Sequence, residues 1–77
     1  MNAANKIPIF NFERSETEQV RGTAWRHRGR KYLDCRLFVR KGDRWIATRE
    51  GITFREHEIQ RLQTAAELAI ALPVKID

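Results

Sequence analysis

The residues of this chain that could do chemistry are rings and cations, which alternate in one short stretch. The segment AWRHRGRKY, residues 24–32, places Trp25, His27 and Tyr32 among arginines and a lysine. Aromatic side chains stack on unpaired nucleobases, while arginine and lysine contact phosphates. The segment therefore suits an acidic partner that has flat rings.

The overall charge points in the same direction. The chain of 77 residues has 15 Lys and Arg against 10 Asp and Glu, a net charge of +5 and a pI near 10.1. Within residues 19–49, the basic residues are opposed only by Asp34 and Asp43. Such an excess favours anionic partners: nucleic acid first, then membrane headgroups or an acidic protein.

Catalytic and metal-binding chemistry find little support in the sequence. His27 and His57 have no partner at the spacing of metal ligands or of a catalytic triad. Cys35 alternates with apolar residues, as a buried structural thiol does, and a single cysteine allows no intrachain disulfide. Asp34 is expected to form a cross-strand ion pair with an arginine. We therefore expect no enzyme, no metal and no cofactor.

Length and hydropathy bound the class of protein. A chain of 77 residues makes one domain at most, near the size where oligomerisation is a natural way to bury more apolar surface. No apolar run approaches the length of a membrane span, and the first residues lack the order of a signal peptide. We expect a soluble intracellular protein, cytoplasmic and nucleoid-associated if bacterial or phage-encoded, or nuclear if eukaryotic.

The first half of the chain alternates as β-strands do. IPIFNF, residues 7–12, is typical of an edge strand that tolerates a proline. Residues 19–28 alternate small side chains with large ones, and Gly29 is expected to turn the chain. The clearest strand covers residues 32–40.

A second hairpin and a helix are predicted to follow. Gly42 and Asp43 form the tip of the turn, a strand covers residues 45–49, and Gly51 ends it before a short strand at 52–54. The helix is predicted to begin at Thr53 through a capping box with Glu56, and Pro73 stops it. Its apolar stripe consists of Ile59, Leu62, Ala66 and Ala69, widened by Leu68 and Leu72.

This order of elements predicts a single sheet with the helix laid across one face. The sheet's side of the core would be Leu33, Cys35, Leu37 and Val39. The opposite face would be uncovered, with Arg21, Trp25, His27, Tyr32, Arg36 and Phe38 on it. Two interpretations stay open: the rings stack on nucleobases, or Trp25 and Phe38 are buried in a dimer interface or under the first strand.

The order of the motifs resembles a known family. The stretch GRKYLDCRLFVRKGDRWIATREGITFREHEIQRL is similar to the positive cofactor four family of single-stranded-DNA-binding transcriptional coactivators, in its bacterial or phage-type form. The resemblance covers roughly residues 10–70. The motifs that carry it are Asp34-Cys35-Arg36, the turn at 41–44 and Arg49-Glu50-Gly51-Ile52-Thr53.

The resemblance implies an α+β fold, a strongly curved antiparallel four-stranded sheet (ββββα) backed by one C-terminal helix and dimerised through helix and sheet. The chain then divides into an arm or edge strand at 1–12, the binding domain at 13–72 and a tail at 73–77. Carried over by position, the DNA-contacting surface falls on Trp25, His27, Arg28, Arg30, Arg36 and Arg49, to which the uncovered sheet face adds Arg21 and Phe38.

Several positions depart from the family pattern, including Ala47-Thr48 where the family usually has Pro-Gly. The stacking phenylalanine of the family is His27 here, and Trp25, two residues earlier on the same face, is expected to take that task. A basic position of the third strand is Ile46, and the second residue of the terminal basic pair is Glu50. We expect these changes to affect the affinity more than the fold.

The sequence therefore predicts a homodimer that binds single-stranded DNA without sequence preference, as a transcriptional coactivator or regulator or in strand protection. The expected partners are single-stranded DNA, melted duplex or RNA, a second copy of the chain and the transcription machinery, with no membrane. Two alternatives are an adaptor for an acidic protein such as RNA polymerase, and an RNA-binding protein that uses the same sheet face.

Overall fold

A computed structural model describes residues 5–73, which form four antiparallel strands followed by one helix. The elements are β1 Ile7–Glu13, β2 Glu18–His27, β3 Arg30–Lys41, β4 Arg44–Arg55 and α1 Glu56–Ala71. The strands lie in the order β1-β2-β3-β4, so each pairs with its neighbour in sequence. An open, curved antiparallel sheet followed by one C-terminal helix is an α+β fold, and it confirms the predicted fold class.

Two tight turns set the register of the sheet. Between β2 and β3, Arg28 and Gly29 both have positive φ, 51° and 76°, as a type I′ hairpin turn requires. Between β3 and β4, Gly42 has a φ of 63°, and Asp43 does not share the positive sign, which is the pattern of a type II′ turn. Both turns lie where the sequence predicts them.

β1 forms one edge of the sheet. It pairs with β2, and its register shifts between Pro8 and Phe10. Proline is tolerated at an edge because the strand there need not donate every hydrogen bond. The connection to β2 is short, and the backbone amides of Arg14 and Ser15 both donate to the Glu18 carbonyl, at 2.9 and 3.3 Å.

The register separates the side chains into two faces, because directly opposed residues of antiparallel strands share a face. Trp25 lies opposite Tyr32, and Arg21 lies opposite Arg36. We call this side the ring–arginine face; it carries Gln19, Arg21, Thr23, Trp25, His27, Arg30, Tyr32, Asp34, Arg36, Phe38, Arg40, Trp45, Thr53 and Arg55. The other side, the apolar face, carries Phe10, Phe12, Val20, Ala24, Leu33, Cys35, Leu37, Val39, Ile46, Ile52 and Phe54.

The predicted break of the last strand at Gly51 is wrong. β4 runs without interruption through Gly51, which pairs with Arg36. The irregularity lies earlier, where the register shifts between Arg36 and Phe38. There the Thr48 hydroxyl donates to the Leu37 carbonyl at 2.8 Å, so that a side chain satisfies a backbone group of the bulged ladder.

The predicted helix start at Thr53 is also wrong. Thr53 belongs to β4, where its hydroxyl donates to Asp34 Oδ1 at 2.8 Å instead of capping the helix. The helix begins at Glu56, and the Glu58 carboxylate accepts the backbone amide of Arg55 at 2.9 Å. The predicted end before Pro73 is confirmed, since α1 ends at Ala71 and the Leu72 amide donates to the Leu68 carbonyl.

α1 contacts β3 and β4 near its own beginning. Ile59 is half-buried there, and the Lys31 amide donates to Glu56 Oε1 at 3.0 Å, which ties the helix to the start of β3. Farther along the helix, Leu68 is 53% exposed and Ile70 is 86% exposed. The predicted apolar stripe therefore reaches the sheet through Ile59, and the rest of it remains open.

The apolar face is correspondingly uncovered. Its β3 residues Leu33, Cys35, Leu37 and Val39 are half-buried, where the sequence predicted a core. Within residues 5–73 no hydrophobic side chain is fully buried. The single chain therefore leaves open the surface that a small α+β domain would ordinarily close.

Candidate nucleic-acid interface

The ring–arginine face has a preformed stack of two rings near the β2–β3 hairpin. Trp25 and Tyr32 lie opposite each other in the register, with ring centroids 5.7 Å apart and planes inclined by 17°. Lys6 places its Nζ 4.9 Å from the centroid of the Trp25 ring. Both rings are half-buried, so part of each remains open to a ligand. A flat aromatic surface beside a cation suits a nucleotide.

Three basic residues surround this stack at the tip of the hairpin. His27 ends β2, Arg28 lies in the turn and Arg30 begins β3, and all three are exposed. The type I′ turn fixes their order, because it places His27 and Arg30 opposite each other on the ring–arginine face. Within the part of the chain that the structure describes, none of the three forms an ion pair. The charges of Arg28 and Arg30 are available to an anionic partner.

Farther along the same face, Arg36 is held by an acidic residue of its own strand. Its Nε donates to Asp34 Oδ2 at 3.0 Å, and its second terminal nitrogen donates to Asp34 Oδ1 at 2.9 Å. The other terminal nitrogen donates to the Thr48 carbonyl at 3.0 Å. The predicted ion pair of Asp34 with an arginine is confirmed, but it runs along β3 instead of across strands.

The pKa values follow from this bidentate pair. Burial acts to raise the pKa of the Asp34 carboxyl, but hydrogen bonds from Arg36 and Thr53 and the charge of Arg36 outweigh it and hold the pKa below its ordinary 3.8. The hydrogen bond to Asp34, opposed by burial, raises the pKa of the Arg36 guanidinium. Both groups are charged at neutral pH, and they largely neutralise each other.

Gly51 makes room for this pair. A Cβ at Gly51 would lie 2.7 Å from the Cys35 carbonyl oxygen and 2.9 Å from Arg36 Cζ. Any side chain there would therefore push against the backbone of β3 and the guanidinium. The glycine that the sequence suggested as a strand breaker instead allows the close approach of Arg36 to β4.

A second group of rings lies at the far end of the face. Arg21 places its Cζ 4.3 Å from the centroid of the Phe38 ring and 5.9 Å from that of Trp45. Its Nε donates to Gln19 Oε1 at 3.0 Å. Arg21 and Phe38, which the sequence placed on the uncovered face, are thus joined with Trp45.

Arg49 is the predicted site residue that stands apart from both ring groups. It is exposed and lies in the irregular segment of β4, between Ala47, which pairs with Phe38, and Gly51, which pairs with Arg36. The register places this segment toward the middle of β3, several residues from Arg30.

Sequence reasoning missed three residues of this face. Trp45 lies opposite Arg40, and counting outward from the Gly42 turn would have placed it there. Arg55 lies opposite Tyr32, but the predicted helix start at Thr53 had assigned it to the helix. The contact of Lys6 with Trp25 could not be predicted from the sequence, because it depends on the path of the chain before β1.

Of the other reactive groups in residues 5–73, Cys35 lies on the apolar face of β3. Burial, reinforced by the negative charge of Asp34, raises the pKa of the Cys35 thiol above 9.0, so the thiol is protonated at neutral pH. In residues 5–73 no three His, Cys, Asp or Glu side chains cluster closely enough to hold a metal ion. No helix in this range is long and apolar enough to cross a membrane.

Comparisons with known proteins give structural relatives. No protein-family model matches the chain, and a search of curated proteins finds no match. Among solved structures, the orthorhombic crystal form of a PC4 homologue from Burkholderia pseudomallei K96243 is 28% identical, with a TM-score of 0.71 over 90% of this chain and 95% of that one. Its tetragonal form is 31% identical, with a TM-score of 0.70 over 83% and 96% of the two chains.

A third similar structure comes from a virus. It is a bacteriophage T5 homologue of the eukaryotic transcription coactivator PC4, implicated in recombination-dependent DNA replication. It is 27% identical, with a TM-score of 0.61 over 86% of this chain and 80% of that one.

Proposed function

The chain belongs to the family of PC4 homologues, and from that premise we propose that it binds single-stranded DNA without sequence preference, as a homodimer. The binding would serve transcription, as a coactivator or regulator, or the protection of exposed strands. The observation that carries the proposal is the Trp25–Tyr32 stack beside the hairpin, where His27 and the cations Arg28 and Arg30 are exposed.

The roles of the residues follow from their exposure and partners. Trp25 and Tyr32 offer the stacking surface, and His27 extends it toward the hairpin. Arg28 and Arg30 hold phosphates, because their charges are not used within the described chain. Stacking would favour single strands over duplex, since paired bases do not present their rings. Electrostatics would supply most of the affinity and a strong dependence on salt.

Arg36 and Arg49 complete the proposed surface in different ways. Three hydrogen bonds hold the Arg36 guanidinium to Asp34 and Thr48, so it contributes the rest of its N–H donors to a phosphate from a fixed position. Arg49 is exposed on β4 and would hold the backbone of a strand that crosses the sheet from β2 toward β4.

Homodimerisation is supported by the open apolar surface. The apolar face is half-buried at best, and Leu68, Ile70 and Leu72 of α1 are exposed. A chain of this size gains little stability without closing such a surface. A second copy, with the same helix and face, would cover both.

Substitution of Trp25 tests the stacking role. Trp25→Ala should weaken binding of a fluorescent oligo-dT by about 1–3 kcal/mol, the range found for removal of one stacking ring. Trp25→Phe is the matched control, because it keeps a ring in place and should lose much less. Equilibrium anisotropy gives the affinities, and circular dichroism verifies the fold. Equal affinities for Trp25→Ala and the wild type would remove Trp25 from the site.

The alternatives are outcomes of the same binding measurement. Preference for RNA over DNA of equal length would assign the face to RNA. Failure to bind any oligonucleotide at low salt would favour an adaptor whose basic face binds an acidic protein such as RNA polymerase.

A further inference from the structure

A cationic cleft lies where the start of β3, the end of β4 and the start of α1 meet. Its lining includes the cations Arg30, Lys31 and Arg55, together with His57 and Gln60 of the helix. Its volume of about 780 Å³ falls in the range of roughly 300–1,000 Å³ that is usual for small-molecule sites. The cleft is therefore large enough for a nucleotide-sized group.

The register of the sheet brings these cations together. Arg55 lies opposite Tyr32, and directly opposed residues of antiparallel strands have Cβ atoms about 5 Å apart. Arg30 precedes Tyr32 by two residues along β3 and lies on the same face. The Lys31 amide donates to Glu56 Oε1 at 3.0 Å, which fixes the start of β3 against the start of the helix. Two strands and a helix thus hold the cations around one opening.

The charges that line the cleft are unbalanced. Arg30, Lys31 and Arg55 are exposed, and none of them forms an ion pair within residues 5–73. The opposing charge of the lining is that of Glu56, whose carboxylate already accepts the Lys31 amide. Three cations against one carboxylate leave a positive excess, so an anion that enters the cleft relieves the repulsion among like charges.

This excess favours a terminal phosphate over a phosphate within a strand. A phosphate within a strand carries a single negative charge. A phosphate monoester carries about −1.5 to −2 at pH 7 and presents three acceptor oxygens. The guanidinium groups of Arg30 and Arg55 and the side-chain amide of Gln60 supply donors for those oxygens.

The position of the cleft also suits the end of a strand. Tyr32, which stacks with Trp25, borders the cleft on the side of the sheet. On the other side α1 bounds it through His57 and Gln60. A strand that stacks its last base on the two rings would reach the cleft with its terminal phosphate and meet the helix there.

We propose that this cleft binds the terminal phosphate of a single strand whose last base stacks on the Trp25–Tyr32 pair. The inference rests on the proposed function and adds to it that the protein recognises strand ends carrying a phosphate. Arg55 and His57 are the residues that distinguish this end site from the surface proposed above for the rest of the strand.

Three forms of one oligonucleotide test the end site. An oligo-dT of about ten nucleotides, within the usual site size, carries a phosphate at its 5′ end, at its 3′ end or at neither. A phosphate at the recognised end should strengthen binding roughly 10- to 150-fold, the ratio for a hydrogen bond to a charged group. The end that gains identifies the polarity of the bound strand. Equal affinities for all three, or a small and equal gain at both ends from added charge alone, would overturn the proposal.

Substitution of Arg55 tests whether the gain arises in the cleft. Arg55→Ala should abolish most of the gain from the terminal phosphate while the strand without a phosphate still binds. Arg44→Ala is the matched control, because it removes the same charge from an exposed position at the opposite end of β4 and should keep the full gain. Circular dichroism verifies the fold, and His57→Ala gives the same test if Arg55→Ala does not fold. A gain of equal size in the cleft variant and in Arg44→Ala would contradict the site.

Protection of the phosphate adds a measurement that does not depend on affinity. At saturating protein, alkaline phosphatase should release the phosphate at the recognised end more slowly from complexes of the wild type and Arg44→Ala than from the complex of Arg55→Ala. Equal rates of release from all three complexes would mean that the phosphate does not lie in the cleft.

The outcomes separate this inference from the proposed function. Binding that is indifferent to the terminal phosphate overturns the end site and leaves the proposed function standing. Absence of binding to all three oligonucleotides at low salt overturns the proposed function itself, and the end site with it.

Discussion

At the scale of residues, the arginines of the ring–arginine face and its hairpin differ in the contacts that they already make within the chain. Arg36 makes three hydrogen bonds within the sheet, and Arg21 lies over two rings. Arg28 and Arg30 are exposed at the hairpin, where the structure gives them no ion pair within residues 5–73. The release of counterions on binding should therefore depend most on the hairpin arginines.

The salt dependence of binding measures this difference. Arg30→Ala should flatten the slope of log K against log salt by roughly 0.7, the single-strand value for one phosphate contact. Arg26→Ala is the matched control, because Arg26 lies opposite Lys31 and thus on the other face of the same hairpin. It removes the same charge and should leave the slope nearly unchanged. Equal slopes for both variants would mean that net charge, and not a contact by Arg30, sets the salt dependence.

Asp34 predicts an acid dependence of stability. Its pKa is held below the ordinary 3.8 in the folded chain, so the folded state favours the ionised carboxylate. The stabilisation is complete above the unfolded pKa and is lost as the pH falls through the lower folded pKa. Urea unfolding from pH 7 down to about pH 2 should show this loss in the wild type.

Asp34→Asn provides the comparison for that measurement. The amide cannot ionise, so the variant should be less stable at pH 7 and should lose less stability in acid than the wild type does. Parallel pH profiles for the two proteins would show that the ion pair with Arg36 does not supply the acid dependence.

At the scale of elements, side-chain alternation was sufficient for the first three strands, because residues that share a face recur with period two, and the turn glycines were sufficient for both hairpins. The prediction from sequence failed where one side chain had two possible hydrogen-bond partners. Thr53 has the sequence of a helix cap, but Asp34 on the neighbouring strand accepts its hydroxyl. Such a pairing depends on the register of β3 with β4, which local sequence does not specify.

The boundary between β4 and α1 also explains the missed residues of the site. The sequence ended the strand at Gly51, and this removed Arg55 from the sheet. Gly51 continues the strand because its lack of a Cβ admits the Arg36 guanidinium. Trp45 was missed for a different reason: its side of the sheet follows from counting outward from the Gly42 turn to the pair with Arg40, a step that alternation within one strand does not include.

The helix start gives a prediction at this scale. Glu58 accepts the Arg55 amide at 2.9 Å and lies in the first turn, where the helix dipole favours a carboxylate. Glu58→Ala should therefore lower the free energy of unfolding by about 0.5–2 kcal/mol. Glu67→Ala, an exposed glutamate of the same helix, is the matched control and should change it little. Chemical denaturation gives both values, and equal losses would contradict the cap.

At the scale of the whole molecule, the described residues form a thin sheet followed by a helix. No hydrophobic side chain among them is fully buried, so they enclose no hydrophobic core. Its extents are 44 by 38 by 17 Å. The exposed apolar side chains lie mainly on the apolar face and along α1, while the opposite face carries the Trp25–Tyr32 stack and the Arg21 group. The proposed dimer would close the first surface and leave the second for DNA.

Ile70 tests that assembly because it is the most exposed large apolar side chain of α1, at 86%. Ile70→Glu should shift the protein from dimer toward monomer and lower its stability, since a charge would be buried at the interface. Gln60→Glu adds the same charge at an exposed position near the start of the helix, about 80° round from Ile70, and should preserve the dimer. Light scattering on a size-exclusion column gives the mass of each. If both variants keep the mass of the wild-type protein, Ile70 does not lie in the dimer interface.

The central claim is that the ring–arginine face selects unpaired bases. The most direct measurement is equilibrium binding of the wild-type protein to a single strand, the matching duplex and an RNA of the same length, across a range of salt. We predict tighter binding to single-stranded DNA than to duplex at every salt concentration. The preference should persist as salt rises, because the stacking contribution is not screened as phosphate contacts are. Equal affinity for single strand and duplex throughout, or no binding at low salt, would contradict the account.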